Sequence, residues 1–122
     1  NIALNGVHLS DRREAVIYLS NLKNPSKDVI ETLEKVALKD NSGYVRLLAI
    51  MELDLPANLS KGVIETLERV ALKDKDGGVR AVAIGYLSDL DSLPEHVIKT
   101  LEKFALKDKY EYVRRAAVKC LV

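Results

Sequence analysis

Residues 29–53 read VIETLEKVALKDNSGYVRLLAIMEL, and nearly the same text returns twice: VIETLERVALKDKDGGVRAVAIGYL at 63–87 and VIKTLEKFALKDKYEYVRRAAVKCL at 97–121. The starts at Val29, Val63 and Val97 are evenly spaced, a constant period of thirty-four with no insertion. The first segment matches the second at 17 of 25 positions and the third at 15 of 25, which chance does not give without gaps. Self-similarity at a fixed period of this length marks a supersecondary unit repeated along the chain. A half repeat precedes the three: Arg12, Ala15, Val16 and Leu19 stand one period before Arg46, Ala49, Ile50 and Leu53.

Each repeat reads as two helices. In helix A, Val29, Ile30, Leu33, Val36 and Ala37 recur at one-face helical spacing, with Glu31, Glu34 and Lys35 outside the stripe. Glu31 and Lys35 form an i, i+4 pair of favourable order. In helix B, Val45, Ala49, Ile50, Glu52 and Leu53 cover one side. Ser26 and Ser60 suit N-caps; Ser92 with Pro94 and Glu95 suits a capping box, and Asp11 with Glu14 a similar start. Pro25, Pro56 and the Asp89–Ser92 stretch separate the repeats. The spacing predicts seven helices, near 11–22, 27–39, 43–54, 61–73, 77–88, 93–107 and 110–122, with residues 1–10 as a cap or extended arm. A single pair cannot bury its stripe alone, so pairs must stack. The expected fold is all-α, a right-handed α-solenoid of antiparallel helix pairs. It makes one array over 1–122: a half repeat at 11–22 and full repeats at 26–55, 60–89 and 94–122.

Between helices A and B the string D-x4-V-R-x2-A-x3-L appears three times in phase: Asp40, Val45, Arg46, Ala49, Leu53; Asp74, Val79, Arg80, Ala83, Leu87; and Asp108, Val113, Arg114, Ala117, Leu121. In the half repeat, Gly6 and Asp11 replace the Asp and Val while Arg12 keeps the Arg. This string resembles the HEAT repeat family, including its shorter phycobilisome-lyase type, over nearly the whole chain beyond residue 10. The resemblance implies that Asp40, Asp74, Asp108, Arg46, Arg80 and Arg114 form a structural ladder joining each turn to the neighbouring repeat. Elementary chemistry agrees: an Asp at a helix start accepts orphan N–H groups, and an Arg fork reaches it from one turn away. A catalytic or phosphate-binding role for these six is the weaker alternative.

Composition excludes several classes. Lys and Arg number 19 against 18 Asp and Glu, so the net charge of +1 supplies no global field for nucleic acid or anionic lipid. One cysteine, Cys120, forms no internal disulfide and makes no metal site with the distant His8 and His96, neither of which has an acidic partner at ligand spacing. No apolar run spans a membrane, and no signal peptide is visible. Gly77 and Gly78 are read as a turn needing flexible φ rather than a phosphate loop. Lys39, Lys73 and Lys107 close helix A where cations suit the dipole, and Cys120 reads as a small buried or interfacial residue. The expectation is no metal, no cofactor and no catalysis, in a cytoplasmic protein.

The repeats differ chiefly at 41, 42, 44, 47, 48, 51, 52 and their equivalents. The resemblance implies that B helices line a concave groove, which gives these positions as columns: Arg13, Leu47, Ala81, Arg115; Ile17, Met51, Gly85, Lys119; and Tyr44, Gly78, Tyr112. Read this way, the groove is apolar at Leu47 and Met51, shallow at Ala81 and Gly85, and basic at Arg115 and Lys119. It suits a partner protein, an amphipathic helix or acidic segment. The alternative is that Leu47 and Met51 merely complete packing, and that Tyr44 and Tyr112 rest on Lys stems. Nucleic-acid binding ranks second and a lyase- or glycosylase-type enzyme third, both by analogy with the family. The irregularities Met51, Phe104 and Cys120 read as a natural array rather than a consensus design. The apolar last helix (Val113, Ala117, Val118, Leu121, Val122) is expected to continue into a longer array or to self-associate.

Overall fold

The computed structural model describes residues 8–22 and 25–122. Among them are seven α-helices: α1 (Leu9–Ser20), α2 (Lys27–Lys39), α3 (Gly43–Leu53), α4 (Lys61–Lys73), α5 (Gly77–Ser88), α6 (Glu95–Phe104) and α7 (Glu111–Leu121). Short 3-10 turns occupy Pro56–Asn58 and Ala105–Lys107, and no strand occurs among the described residues. The expected arm at 1–10 lies mostly outside the described residues; Leu9 and Ser10 are already helical.

The chain forms two compact units, 1–66 and 67–122, with the boundary inside α4. In the N-terminal unit α3 packs on both α2 and α1. Leu33, Val36 and Ala37 of α2 and Val45, Ala49, Ile50 and Leu53 of α3 are buried, as is Val16 of α1. Val29 and Ile30 of the predicted stripe are only half-buried. The C-terminal unit packs α7 on α5 and α6. Its core holds Leu67, Val70, Val79, Ile84, Leu87, Val97, Leu101, Val113 and Ala117. The buried apolar residues thus come from the stripe of each helix.

Ends of helices follow local chemistry. Ser26 and Ser60 accept from the backbone N–H of Val29 and Val63 at 3.3 and 3.2 Å, satisfying donors that no helical carbonyl reaches. Glu31 lies 3.9 Å from Lys27, one helical turn before it. Two starts differ from the sequence reading. α1 begins at Leu9 rather than 11, because the His8 carbonyl accepts from Asp11 and Arg12 at 3.1 and 3.2 Å; Asp11 falls in the first turn and caps nothing. α6 begins at Glu95 rather than 93, with Pro94 extended at the N-cap and no side-chain cap. A capping box on Ser92 needs Leu93 helical, and a residue before proline is driven out of the helical region. At its other end α6 stops at Phe104 and tightens into a 3-10 turn, where α2 and α4 stay α-helical to Lys39 and Lys73.

Candidate functional site

The turn between helices A and B repeats one hydrogen-bonding scheme. Asp40 Oδ1 accepts the Ser42 N–H at 2.8 Å, Asp74 Oδ1 the Asp76 N–H at 2.9 Å, and Asp108 Oδ1 the Tyr110 N–H at 3.0 Å. The main-chain carbonyl of the same Asp accepts Nη1 of the Arg that follows in the string: Arg46 at 2.7 Å, Arg80 at 2.6 Å, and Arg114 likewise. Each carbonyl lies just past the end of helix A, so the fork supplies a donor where the helix has none. A second link runs forward to the next turn. Arg12 Nε donates to Asp40 Oδ2 at 2.8 Å; Arg80 donates Nε to Asp108 Oδ2 at 2.8 Å and Nη2 to Oδ1 at 3.0 Å. Asp40, Arg46 and Arg80 are buried. The hydrogen bond with Asp108 raises the Arg80 pKa, and the same bond holds Asp108 below the ordinary carboxylate range, against the opposing effect of burial. These groups are engaged in the protein's own framework, which fixes the facing of the B helices within each unit.

The B helices carry the columns of variable residues. In the N-terminal unit, Ile17 of α1 and Tyr44 and Met51 of α3 are exposed, at 40%, 52% and 48%, while Leu47 is half-buried. Arg13 approaches Glu14 at 3.8 Å and leaves its buried Nε without a hydrogen-bond partner. α1 and α3 pack together; of these five residues only Arg13 is charged. In the C-terminal unit, Gly85 of α5 and Lys119 of α7 line a shallow groove of about 420 Å³ with Tyr86, Ser88, Asp89 and Ala116. Arg115 is exposed and bonds Glu111 at 3.0 Å, Ala81 is half-buried, and Tyr112 is 49% exposed. Gly78 is exposed and donates its N–H to the Asp76 cap at 2.8 Å. Acidic Asp89 and Glu111 sit among the cations, so this face is mixed rather than uniformly basic.

A family model for HEAT repeats matches residues 30–122. The chain belongs to the HEAT repeat family. Its all-helical pairs are of the α-solenoid class. No curated protein and no solved structure gives a significant match.

The HEAT turn also shows what the sequence reading missed. Gly77 is not there for its φ: no described glycine has a positive φ. It is buried, the first residue of α5, and a Cβ there would run into the Tyr112 hydroxyl and meet Tyr110 Cδ2 at 2.6 Å. Those two rings stack at 5.4 Å, with the Arg80 guanidinium 5.7 Å and the Lys109 amine 5.1 Å from the Tyr110 centroid. Tyr112 therefore rests on a ring, not on a lysine stem. Tyr110 occupies the place where Ser42 and Asp76 cap α3 and α5, and α7 accordingly has no side-chain cap. Arg12 of the half repeat supplies a forward link that only its alignment with Arg46 hinted at.

The A helices carry their own links. Thr66 donates to Glu34 at 2.9 Å, and His96 lies 3.4 Å from Glu68, so His96 does have an acidic neighbour, on α4 rather than at ligand spacing in its own helix. Among the described residues no three His, Cys, Asp or Glu side chains converge as a metal site requires, and no helix is long and apolar enough to cross a membrane. Cys120 is half-buried, and burial pushes its thiol pKa up against the lowering effect of a hydrogen bond with Ser88.

Proposed function

We propose that this HEAT array is a non-catalytic scaffold that binds a segment of a partner protein along the exposed side of its B helices. HEAT repeats commonly serve as protein-interaction scaffolds. The observation that carries the reading is the split within α3. Val45, Ala49 and Leu53 are fully buried, while Tyr44 and Met51 of the same helix stand half exposed. Large apolar residues left in water at variable positions are what a partner's apolar side chains require. The N-terminal unit supplies the apolar anchors Ile17, Leu47 and Met51, and Arg115 and Lys119 of the C-terminal unit favour acidic groups. An amphipathic helix suits the apolar residues of the N-terminal unit, and an acidic segment the cations of the C-terminal unit. A cytoplasmic location belongs to this reading and rests on the single cysteine.

A displayed library of amphipathic helical peptides, half of them with an acidic end, tests it. Enrichment by the wild-type protein that disappears with Leu47→Ser plus Met51→Ser supports the reading. Equal enrichment by both proteins refutes it. Binding to DNA or RNA with a steep salt slope would favour the nucleic-acid reading instead.

A further inference from the structure

Gly85 interrupts a series of large exposed residues. Met51, one period earlier, and Lys119, one period later, both carry long side chains into solvent. Gly85 has none, and a Cβ built there meets nothing within 4 Å. No positive φ requires the glycine, no neighbour crowds it, and the interior of a helix disfavours it. What the missing side chain leaves is the groove of about 420 Å³ between α5 and α7, with Val82, Gly85 and Ala116 as its small and apolar lining.

The same groove is lined by two opposite charges, Asp89 and Lys119. Asp89 is the C-cap of α5, a helix with no basic residue in its last turn. Its carboxylate therefore stands at the negative end of the helix dipole, where a cation is favoured and an acid is not. Between Arg80 and Lys99 the chain carries Asp89, Asp91 and Glu95 and neither Lys nor Arg, so no cation near in sequence offsets it. Lys119 reaches the groove from α7, yet among the described residues neither Asp89 nor Lys119 enters an ion pair.

We propose that this groove seats an arginine of the partner segment, its aliphatic stem over Gly85 and Ala116 and its guanidinium on Asp89. A carboxylate that accompanies the arginine meets Lys119. A long apolar stem that ends in a charged fork matches a lining of small apolar residues beside an unpaired carboxylate. A purely apolar side chain would take water from Asp89 and return no hydrogen bond. An acidic one would be repelled by it. The proposal rests on the reading that a partner lies along the B helices, and it names what the C-terminal unit takes from that partner.

Titration of the isotope-labelled protein with N-acetylarginine amide, followed by amide NMR, tests it. The Gly85 and Ala116 signals are expected to move with a Kd on the order of 1 mM, the scale for so small a ligand. N-acetylnorleucine amide, which has the stem without the fork, should bind about threefold more weakly or worse, and Asp89→Asn should bring the arginine probe down to the same level. Gly85→Met restores the side chain that α3 carries at Met51. It should abolish binding of both probes while Tm stays at or above that of the wild type, since the new Cβ has free space. No movement of Gly85 and Ala116 up to about 10 mM probe overturns the proposal. So does equal binding of the norleucine probe, stronger binding of N-acetylglutamate amide, or indifference to Asp89→Asn or Gly85→Met. These signals report on α5 and α7 alone. They can fail to move while a peptide library still separates wild type from Leu47→Ser plus Met51→Ser, and failure of that library does not alter them.

Discussion

Arg80 holds Asp108 through two parallel hydrogen bonds, at 2.8 and 3.0 Å, while its third nitrogen reaches the Asp74 carbonyl. One side chain therefore closes its own turn and joins it to the next repeat. Both partners are nearly buried, with side-chain exposures of 8% and 11%. Removing one partner strands the other's charge out of water. Arg80→Ala is expected to cost about 3 kcal/mol in urea unfolding. Arg80→Lys keeps the charge but loses the planar fork, and is expected to recover only part of that.

The same pair sets an acid limit. Asp108 has a lower pKa folded than unfolded, so between the two values the unfolded chain binds more protons and stability rises with pH. The contribution is complete above the ordinary carboxylate value of about 4 and is lost as pH falls through the folded value. The stability difference between wild type and Asp108→Asn should be constant above about pH 5 and shrink below about pH 4. A constant difference down to about pH 2 would mean that the carboxylate's charge is not what matters.

Gly77 should be replaceable only when its neighbours are. Alanine favours a helix by about 1 kcal/mol over glycine, but the new methyl group collides with Tyr112 and Tyr110. Gly77→Ala is expected to destabilise by about 1 kcal/mol. In a Tyr110→Ala, Tyr112→Ala background the same change should stabilise, since only propensity remains. A double-mutant cycle by thermal unfolding measures that change of sign.

Cys120 should react slowly. Its raised pKa lowers the thiolate fraction at mildly alkaline pH. Iodoacetamide should modify it more slowly than a cysteine in a short peptide. Ser88→Ala removes the one influence that lowers the pKa, and should slow the reaction further. Faster reaction in Ser88→Ala would show that access, not ionisation, sets the rate.

The repeat was readable because its spacing is imposed by the backbone. Val36, Ala37, Val45 and Leu53 are buried at the periodicities an amphipathic pair must have, and the Asp–Arg string recurs because every turn leaves the same carbonyls unsatisfied. Contacts formed across repeats were harder to read. Gly77 looks like a turn glycine until Tyr110 and Tyr112, a whole repeat away in sequence, are placed over it. His96 looks solitary until stacking sets it beside Glu68. Helix ends depend on competition within a few residues, so Pro94 overrode a capping box that Ser92 and Glu95 spell out. Phe104 was noted only as an irregularity; that it stands exposed where Val36 and Val70 are buried needed the structure.

Leu47 and Met51 are the test of whether α3 binds anything. Met51 is 48% exposed and Leu47 half-buried, so their contributions to folding differ while their expected contributions to binding are alike. Met51→Ser should leave Tm within about 2 °C of wild type. Leu47→Ser should cost on the order of 1 kcal/mol, because only part of its apolar surface is shielded from water. Against a helical peptide selected by the wild-type protein, each change should weaken binding, and the pair together by about 2 kcal/mol or more, the scale of interface anchors. The two measurements are needed together. Lost stability in Leu47→Ser with unchanged affinity in both variants would make Leu47 a packing residue and Met51 an idle one. The partner's surface would then have to lie on the outward sides of the A helices α2, α4 and α6, where charged residues predominate and binding would weaken steeply with salt.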